Sequence, residues 1–237
     1  MKVSDFLEIK NYYKKPGQSG KLGLAIDVNG VKYLLKRGEY GEPANEYVYS
    51  LIAKQVGVSC QTCHLVEGFG HPVVALRYIQ QLSPKRKKSF DYNLISDDLI
   101  KSRALDVLTD QDDHVQYIIS DNGRFCKIDN SEAFGFNYGD EQILLTQELK
   151  YVEAYLKDIE NNTNRILGMI KVVQEDIVKS FGNEKMDVFN KTLIKFLQTD
   201  FDFLLNDAEI LQVYSKETSK YFFAKIQAAK KAVNIVL

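Results

Sequence analysis

Two acidic positions near the middle of the chain carry the residue types that phosphoryl transfer needs. Asp112-Asp113-His114 precedes a short apolar run, and Cys126-Lys127-Ile128-Asp129-Asn130 follows the turn after it. Asp112 and Asp129 therefore flank a strand and a turn. Transfer of a phosphoryl group from ATP asks for two carboxylates with separate tasks. One orients or deprotonates the attacking hydroxyl, and the other holds Mg²⁺ on the phosphates. In this reading Asp112 is the catalytic carboxylate. Asp129 is the metal ligand, because Mg²⁺ prefers carboxylate and phosphate oxygens. His114 scaffolds the Asp112 loop by hydrogen bonding. Aspartate is also common in turns, so the pair takes its meaning from what stands upstream.

The upstream residues read as an antiparallel meander. Phe6 to Tyr13 is a first strand, Lys14 to Lys21 a turn-rich break, and Leu22 to Val28 a second strand. Asn29-Gly30 signals a two-residue hairpin. Val31 to Lys36 returns as a third strand, with Val31, Tyr33 and Leu35 alternating. Lys36 ends it, placed to neutralise ATP phosphates; an ordinary strand-end lysine gives the same pattern. After a loop from Gly38 to Pro43, a helix is expected from Ala44 to Gln55. Tyr47, Leu51 and Ile52 lie on one face and Gly57 is the stop. Glu46 stands in its first turn, where it could orient Lys36 by a salt bridge. An acidic first turn also complements the helix dipole, and the two roles are compatible. Gly17, Ser19 and Gly20 in the break could let backbone N–H groups approach phosphates, although hairpin turns need glycine in any case. Val73 to Ile79 reads as a buried strand, and Arg77, Tyr78 and Ile79 at its end fall where a hinge would meet adenine.

Further along, Lys85 to Asp98 reads as an irregular connection and Asp98 to Leu108 as a helix. Val115 to Ser120 and Phe125 to Ile128 form a hairpin through Asp121-Asn122-Gly123. Beyond Leu145 the periodicity turns helical: Ile166, Ile170, Val173, Ile177 and Phe181, then Phe189, Leu193 and Phe196, then Phe222, Ile226, Ala229 and Val233. The expected fold is α+β and two-lobed. Residues 1–80 form a sheet-and-helix lobe for the nucleotide phosphates, and residues 81–237 a lobe with the catalytic loop, the metal-binding hairpin and a helical bundle.

Composition narrows the function classes. The 237 residues carry 31 basic and 32 acidic side chains, a balance that gives no support to a whole-protein nucleic-acid or membrane role. The Pro84-Lys85-Arg86-Lys87-Lys88 run is expected to be a solvated loop. No apolar stretch suits export or membrane crossing, so a cytoplasmic protein is expected. Cys60-Gln61-Thr62-Cys63-His64 matches the spacing for haem attachment. That chemistry needs export, a zinc site would need a second ligand pair, and a redox pair normally opens a helix. Partly buried thiols on a strand from Cys60 to Val66 are the expected reading.

The order of parts carries a family resemblance. Asp112-Asp113-His114 with Ile128-Asp129-Asn130-Ser131-Glu132-Ala133-Phe134 resembles the Asp-x-His and Ile-Asp-x-x-x-Ala-Phe elements of HipA-like kinases and of the related phosphatidylinositol 3- and 4-kinases. Tyr33 to Lys36, Asn45-Glu46-Tyr47 and Ile52 to Gly57 resemble the HipA-like N-lobe. The likeness spans Phe6 to Phe134. It implies an ATP- and Mg²⁺-dependent Ser/Thr protein kinase acting on a protein substrate, with Lys36 on the phosphates, Asp112 as catalytic acid and Asp129 on the metal. One departure stands out. These families continue Asp-x-His-x-x-Asn, and that Asn helps hold metal; here the position is Tyr117, preceded by Gln116. A nucleotide-binding pseudokinase acting as a regulatory module is therefore an alternative. A kinase of a phosphoinositide or small alcohol is a second, and a toxin or effector role a third.

Overall fold

The computed structural model describes residues 1–11, 21–111, 115–136 and 145–237. It is an α+β structure, with an N-terminal antiparallel sheet followed by a helical region. Strands β1 (Phe6–Asn11), β2 (Lys21–Asp27) and β3 (Lys32–Arg37) make the meander. Helix α1 (Glu42–Val56) follows, then β4 (Cys63–Leu65) and β5 (Val74–Arg77). Strand β5 lies between β3 and β4, so the order is β1-β2-β3-β5-β4, with every pairing antiparallel.

The β2–β3 turn differs from the two-residue hairpin expected at Asn29-Gly30. It is a three-residue loop, in which the Asp27 N–H donates to Val31 O and the Gly30 N–H to Asp27 O, both at 3.0 Å. The Asp27 carboxylate accepts from the N–H groups of Asn29 (2.9 Å) and Val31 (2.8 Å). Gly30 takes a left-handed φ of 78° and Asn29 does not; the two-residue form would need positive φ at both. The carboxylate thus selects the longer loop.

Strand parity then places Lys36. Tyr33 and Leu35 join Ala25, Val73 and Ala75 in a small cluster on one face of the sheet. Leu34 and Lys36 point to the other face, where Leu34 meets the main core under α1. A one-residue register slip would move Lys36 off that face; pairing with Val74 on β5 holds it there.

Helix α1 begins two residues earlier than its apolar pattern suggests. Pro43 in its first turn has no N–H to leave unsatisfied. At the N-cap, a Cβ on Gly41 would fall 1.5 Å from the Phe136 carbonyl oxygen, so only glycine fits. Gly57, at φ 78°, closes the helix by donating to Ala53 O. Twelve of its 15 residues are buried, well beyond the expected Tyr47–Leu51–Ile52 face, and Leu51 itself is half-buried. The reason is that α1 packs on the sheet and on the helical half together.

In the helical half, α2 (Pro84–Lys88) replaces part of the expected irregular connection. Ser83 caps it by accepting from the Arg86 N–H, and Pro84 opens it. The basic run is thus solvent-exposed, as expected, but helical. Helix α3 (Ser96–Leu108) and the hairpin β6 (Tyr117–Ile119) and β7 (Phe125–Lys127) follow. Five α-helices, with short 3-10 turns before and between them, complete the described chain: α4 (Leu145–Lys157), α5 (Ile159–Phe181), α6 (Met186–Gln198), α7 (Ala208–Val213) and α8 (Lys216–Val236). Ile166, Ile170, Phe189, Leu193, Phe196, Phe222 and Ile226 share one core with Tyr49 and Ile52 of α1. Each such buried side chain contributes about 1.5–3 kcal/mol, so α1 is fixed against both halves of the molecule.

The strand expected over Cys60 to Val66 shortens to Cys63–Leu65, and the one over Val73 to Ile79 to Val74–Arg77. Cys60 instead forms an isolated parallel backbone bridge with Lys127, the last residue of β7. All three cysteines are free thiols, and burial pushes each thiol up, Cys126 to about 11. No helix among the described residues is long and apolar enough to cross a membrane.

Candidate active site

Lys36 and Glu46 come together with Asp129. The Lys36 ammonium donates to Glu46 Oε1 at 2.9 Å and to Asp129 Oδ1 at 2.6 Å. The three come from different elements: the end of β3, the second turn of α1 and the residue pair after β7. Glu46 is 1% exposed, and Lys36 is 13% exposed. Burial alone would lower the Lys36 pKa. The Glu46 and then the Asp129 carboxylates overcome that and hold it above its ordinary value. Burial would likewise raise the Asp129 carboxyl, but the Lys36 charge and hydrogen bond hold it below the usual carboxylate range.

Further residues fix the two acids. Glu46 Oε2 accepts from the Asn130 N–H at 2.9 Å and from its side-chain Nδ2 at 3.4 Å. Asn45 Nδ2 donates to Ser131 O at 2.6 Å. Asp129 holds a left-handed φ of 57°. Its carbonyl accepts from Gln111 Nε2 at 3.2 Å, and Ser131 Oγ lies 3.3 Å from its Oδ1. The second carboxylate oxygen, Oδ2, has no hydrogen bond among the described residues, and the side chain is 38% exposed. One oxygen is thus locked to Lys36 while the other is available, which fits a magnesium ligand.

The charges of these three side chains are also compatible with a bound cation. Two carboxylates and one ammonium leave the cluster with net charge −1, which repels a phosphate. A divalent ion at Asp129 reverses the sign to +1, which attracts one.

Tyr117 does not stand in for the missing Asn. Its ring stacks on Phe125 with centroids 5.2 Å apart and packs against a third apolar cluster of Leu82, Ile95, Ile119 and Phe125. Burial raises its phenol pKa, so it supplies no anionic oxygen to a metal. Asp112, Asp113, His114, Gly17, Ser19 and Gly20 lie outside the described residues.

Arg77, Tyr78 and Ile79 lead out of β5 toward the helical half. The Arg77 N–H donates to Thr62 O and the Tyr78 N–H to Lys32 O, both at 2.9 Å. The Gln61 side chain donates to Arg77 O at 2.9 Å. The N–H of Ile79 has no partner among the described residues.

Behind Asp129 lies a buried charge pair that the sequence reading missed. Lys127 is fully buried, 3.7 Å from Asp106 on α3 and 5.8 Å from the centre of the Tyr49 ring. Tyr49 OH donates to Asp106 Oδ1 at 2.7 Å. Burial dominates and pushes the Asp106 carboxyl up to about 6 from its ordinary 3.8, with Lys127 opposing. Between those values the folded state binds more protons than the unfolded chain. The contribution of this group to stability is therefore greatest below pH 3.8 and is lost as the pH rises through about 6. Carboxyl-carbon NMR of the wild type, assigned with Asp106→Asn, is expected to show a midpoint near 6; a midpoint near 4 would contradict this environment. A signal was present in the sequence, since Lys127 interrupts the apolar run Phe125-Cys126-Lys127-Ile128.

Comparison with known proteins bears on the fold. The chain matches no protein-family model and no curated protein. It is similar to the crystal structure of a Helicobacter pylori proinflammatory kinase, CtkA. The TM-score is 0.63 over 96% of this chain and 94% of that one, at 13% sequence identity. At that identity the likeness is one of fold: a two-lobed, kinase-like architecture.

Proposed function

We propose that this chain is an ATP- and Mg²⁺-dependent phosphotransferase that phosphorylates Ser or Thr hydroxyls of a protein. The observation that carries this reading is the convergence of Lys36, Glu46 and Asp129 within hydrogen-bonding distance on a kinase-like fold. In this reading the lobes divide near residue 80, with the nucleotide between them and adenine against Ile79.

Glu46 keeps the Lys36 ammonium aimed at the site, and Lys36 neutralises phosphate oxygens. Asp129 Oδ2 would hold Mg²⁺, which when bound supplies charge neutralisation of the transferring group. Asp112 orients the attacking hydroxyl and takes its proton, and His114 steadies that loop. Gly17, Ser19 and Gly20 bring backbone N–H groups to the phosphates. Catalysis then rests on positioning and on charge compensation fixed in advance.

The experiment is incubation with γ-labelled ATP and Mg²⁺ or Mn²⁺, comparing the wild type with Asp112→Ala. Labelled phosphoserine or phosphothreonine is expected from the wild type and a loss of at least about 100-fold from the variant. Transfer that survives Asp112→Ala would sink the assignment of that residue.

One observation favours a second reading, a nucleotide-binding pseudokinase with a regulatory role. Tyr117 is packed into an apolar cluster where a second metal-binding side chain is expected. Nucleotide binding without label transfer would select it.

A further inference from the structure

The described chain contains three non-glycine residues with left-handed backbone, Asp110 (φ 59°), Asp129 (φ 57°) and Phe134 (φ 63°). Each is a sparsely populated conformation for a residue with a side chain and persists only where its surroundings hold it. All three belong to one connected hub. The Phe134 N–H donates to Thr109 O at 2.5 Å, and the Gln111 N–H to Asp106 O at 2.9 Å. Gln111 Nε2 donates in turn to Asp129 O at 3.2 Å. The turn after α3 is thereby tied to the metal-ligand candidate on one side and to Phe134 on the other.

Helix α8 grips this hub twice. Tyr221 OH donates to Phe134 O at 2.6 Å. Lys225 Nζ donates to Asp110 Oδ2 at 2.9 Å and to Asn162 Oδ1 at 3.3 Å. Lys225 and Asp110 are each 5% exposed, and Arg165 Nε reaches Asp110 Oδ1 from the solvent side at 2.8 Å. A lysine on the same helix face as Phe222, Ile226 and Ala229, all fully buried, is an expensive choice for packing alone. Replacing a buried ion pair by apolar groups of similar shape is often neutral or stabilising.

We infer that Lys225 is a positioning residue: acting through Asp110 and Gln111, it sets the backbone geometry that aims Asp129. The catalytic consequence rests on the phosphotransferase reading; the geometric one does not.

The test is the double variant Lys225→Met/Asp110→Asn. It removes both buried charges together, so it avoids the stranded carboxylate that Lys225→Met alone would leave. Its melting temperature is expected to stay within about 4 °C of the wild type. Amide exchange is then measured at Gln111 and Phe134, against the helical amides of α5 and α6. At least about 10-fold faster exchange at those two positions is expected, with the helices unchanged. In label-transfer assays kcat is expected to fall at least about 10-fold while KM for ATP moves less than about 2-fold.

Unchanged exchange at Gln111 and Phe134 overturns the inference, whether or not the wild type transfers phosphate. In an active protein, unchanged kcat overturns it too, because a purely structural pair is fully replaced by the neutral double variant. A wild type that transfers no phosphate counts against the phosphotransferase reading alone, and the exchange result then decides. Should the double variant fold poorly, Asp110→Asn alone discharges the carboxylate that Lys225 holds, and unchanged exchange at Gln111 in that variant is the overturning result.

Discussion

Lys36→Met is expected to abolish nucleotide-dependent activity and to destabilise the fold as well. Glu46 is 1% exposed and its Oε1 is held by Lys36 at 2.9 Å. Removing the ammonium strands a buried carboxylate, which costs about 3–5 kcal/mol; urea denaturation measures it. Loss of the phosphate partner is expected to reduce transfer by about 100–1,000-fold. Lys36→Met/Glu46→Gln separates the two effects. It is expected to recover most of the stability, because Gln leaves no stranded charge, and none of the activity. Recovery of both would assign the pair to folding alone.

Asp129→Asn is expected to give the opposite balance. Its side chain is 38% exposed and its Oδ2 has no hydrogen bond among the described residues, so the amide is tolerated with little change in stability at neutral pH. The loss falls on the metal: Mg²⁺-stimulated binding of ATP disappears, and transfer drops at least about 100-fold. The pH dependence has a definite sign. Lys36 depresses the Asp129 carboxyl below its ordinary 3.8. The stability it contributes is present above pH 3.8 and is lost as the pH falls through the depressed value. The small stability gap between the wild type and Asp129→Asn is therefore expected at pH 5 and above, closing in stronger acid. Acid titration followed by circular dichroism checks this.

The parts of the site that the sequence made legible are those fixed by local periodicity. Alternation along Val31 to Lys36 locates the end of β3, Gly57 locates the end of α1, and Asp121-Asn122-Gly123 locates the hairpin before Asp129. Lys36, Glu46 and Asp129 follow from those markers. Their mutual contact does not follow, because it depends on β5 inserting between β3 and β4 and on α1 packing against both halves. The residues that went unread make long-range polar contacts. Lys127 meets Asp106 across β7 and α3, and Lys225 meets Asp110 over 115 positions of sequence. A lysine within an apolar pattern reveals that a buried partner exists, but not which acid it is. The turn at Asn29-Gly30 was misread for a different reason: its length is set by the Asp27 carboxylate, one residue before the turn, rather than by the Asn-Gly pair. Helix α2 was missed because a run of four basic residues has no apolar periodicity, and only Ser83 and Pro84 mark its start.

The packing of Tyr117 on Phe125 sharpens the question of activity. It leaves Asp129 as the metal-ligand candidate among the described residues, so metal binding here would depend on Asp129 more heavily than in a site with two ligand side chains. The net charge of −1 on Lys36, Glu46 and Asp129 makes the same point from electrostatics, since ATP alone meets repulsion there.

Calorimetric titration of ATP with and without Mg²⁺, on the wild type and on Asp129→Asn, tests this centre most directly. The expected result is at least about 10-fold tighter binding with Mg²⁺ in the wild type and no metal dependence in Asp129→Asn. Absence of ATP binding, or an equal response to Mg²⁺ in both proteins, would contradict the assignment of Lys36, Glu46 and Asp129 as a metal–nucleotide site.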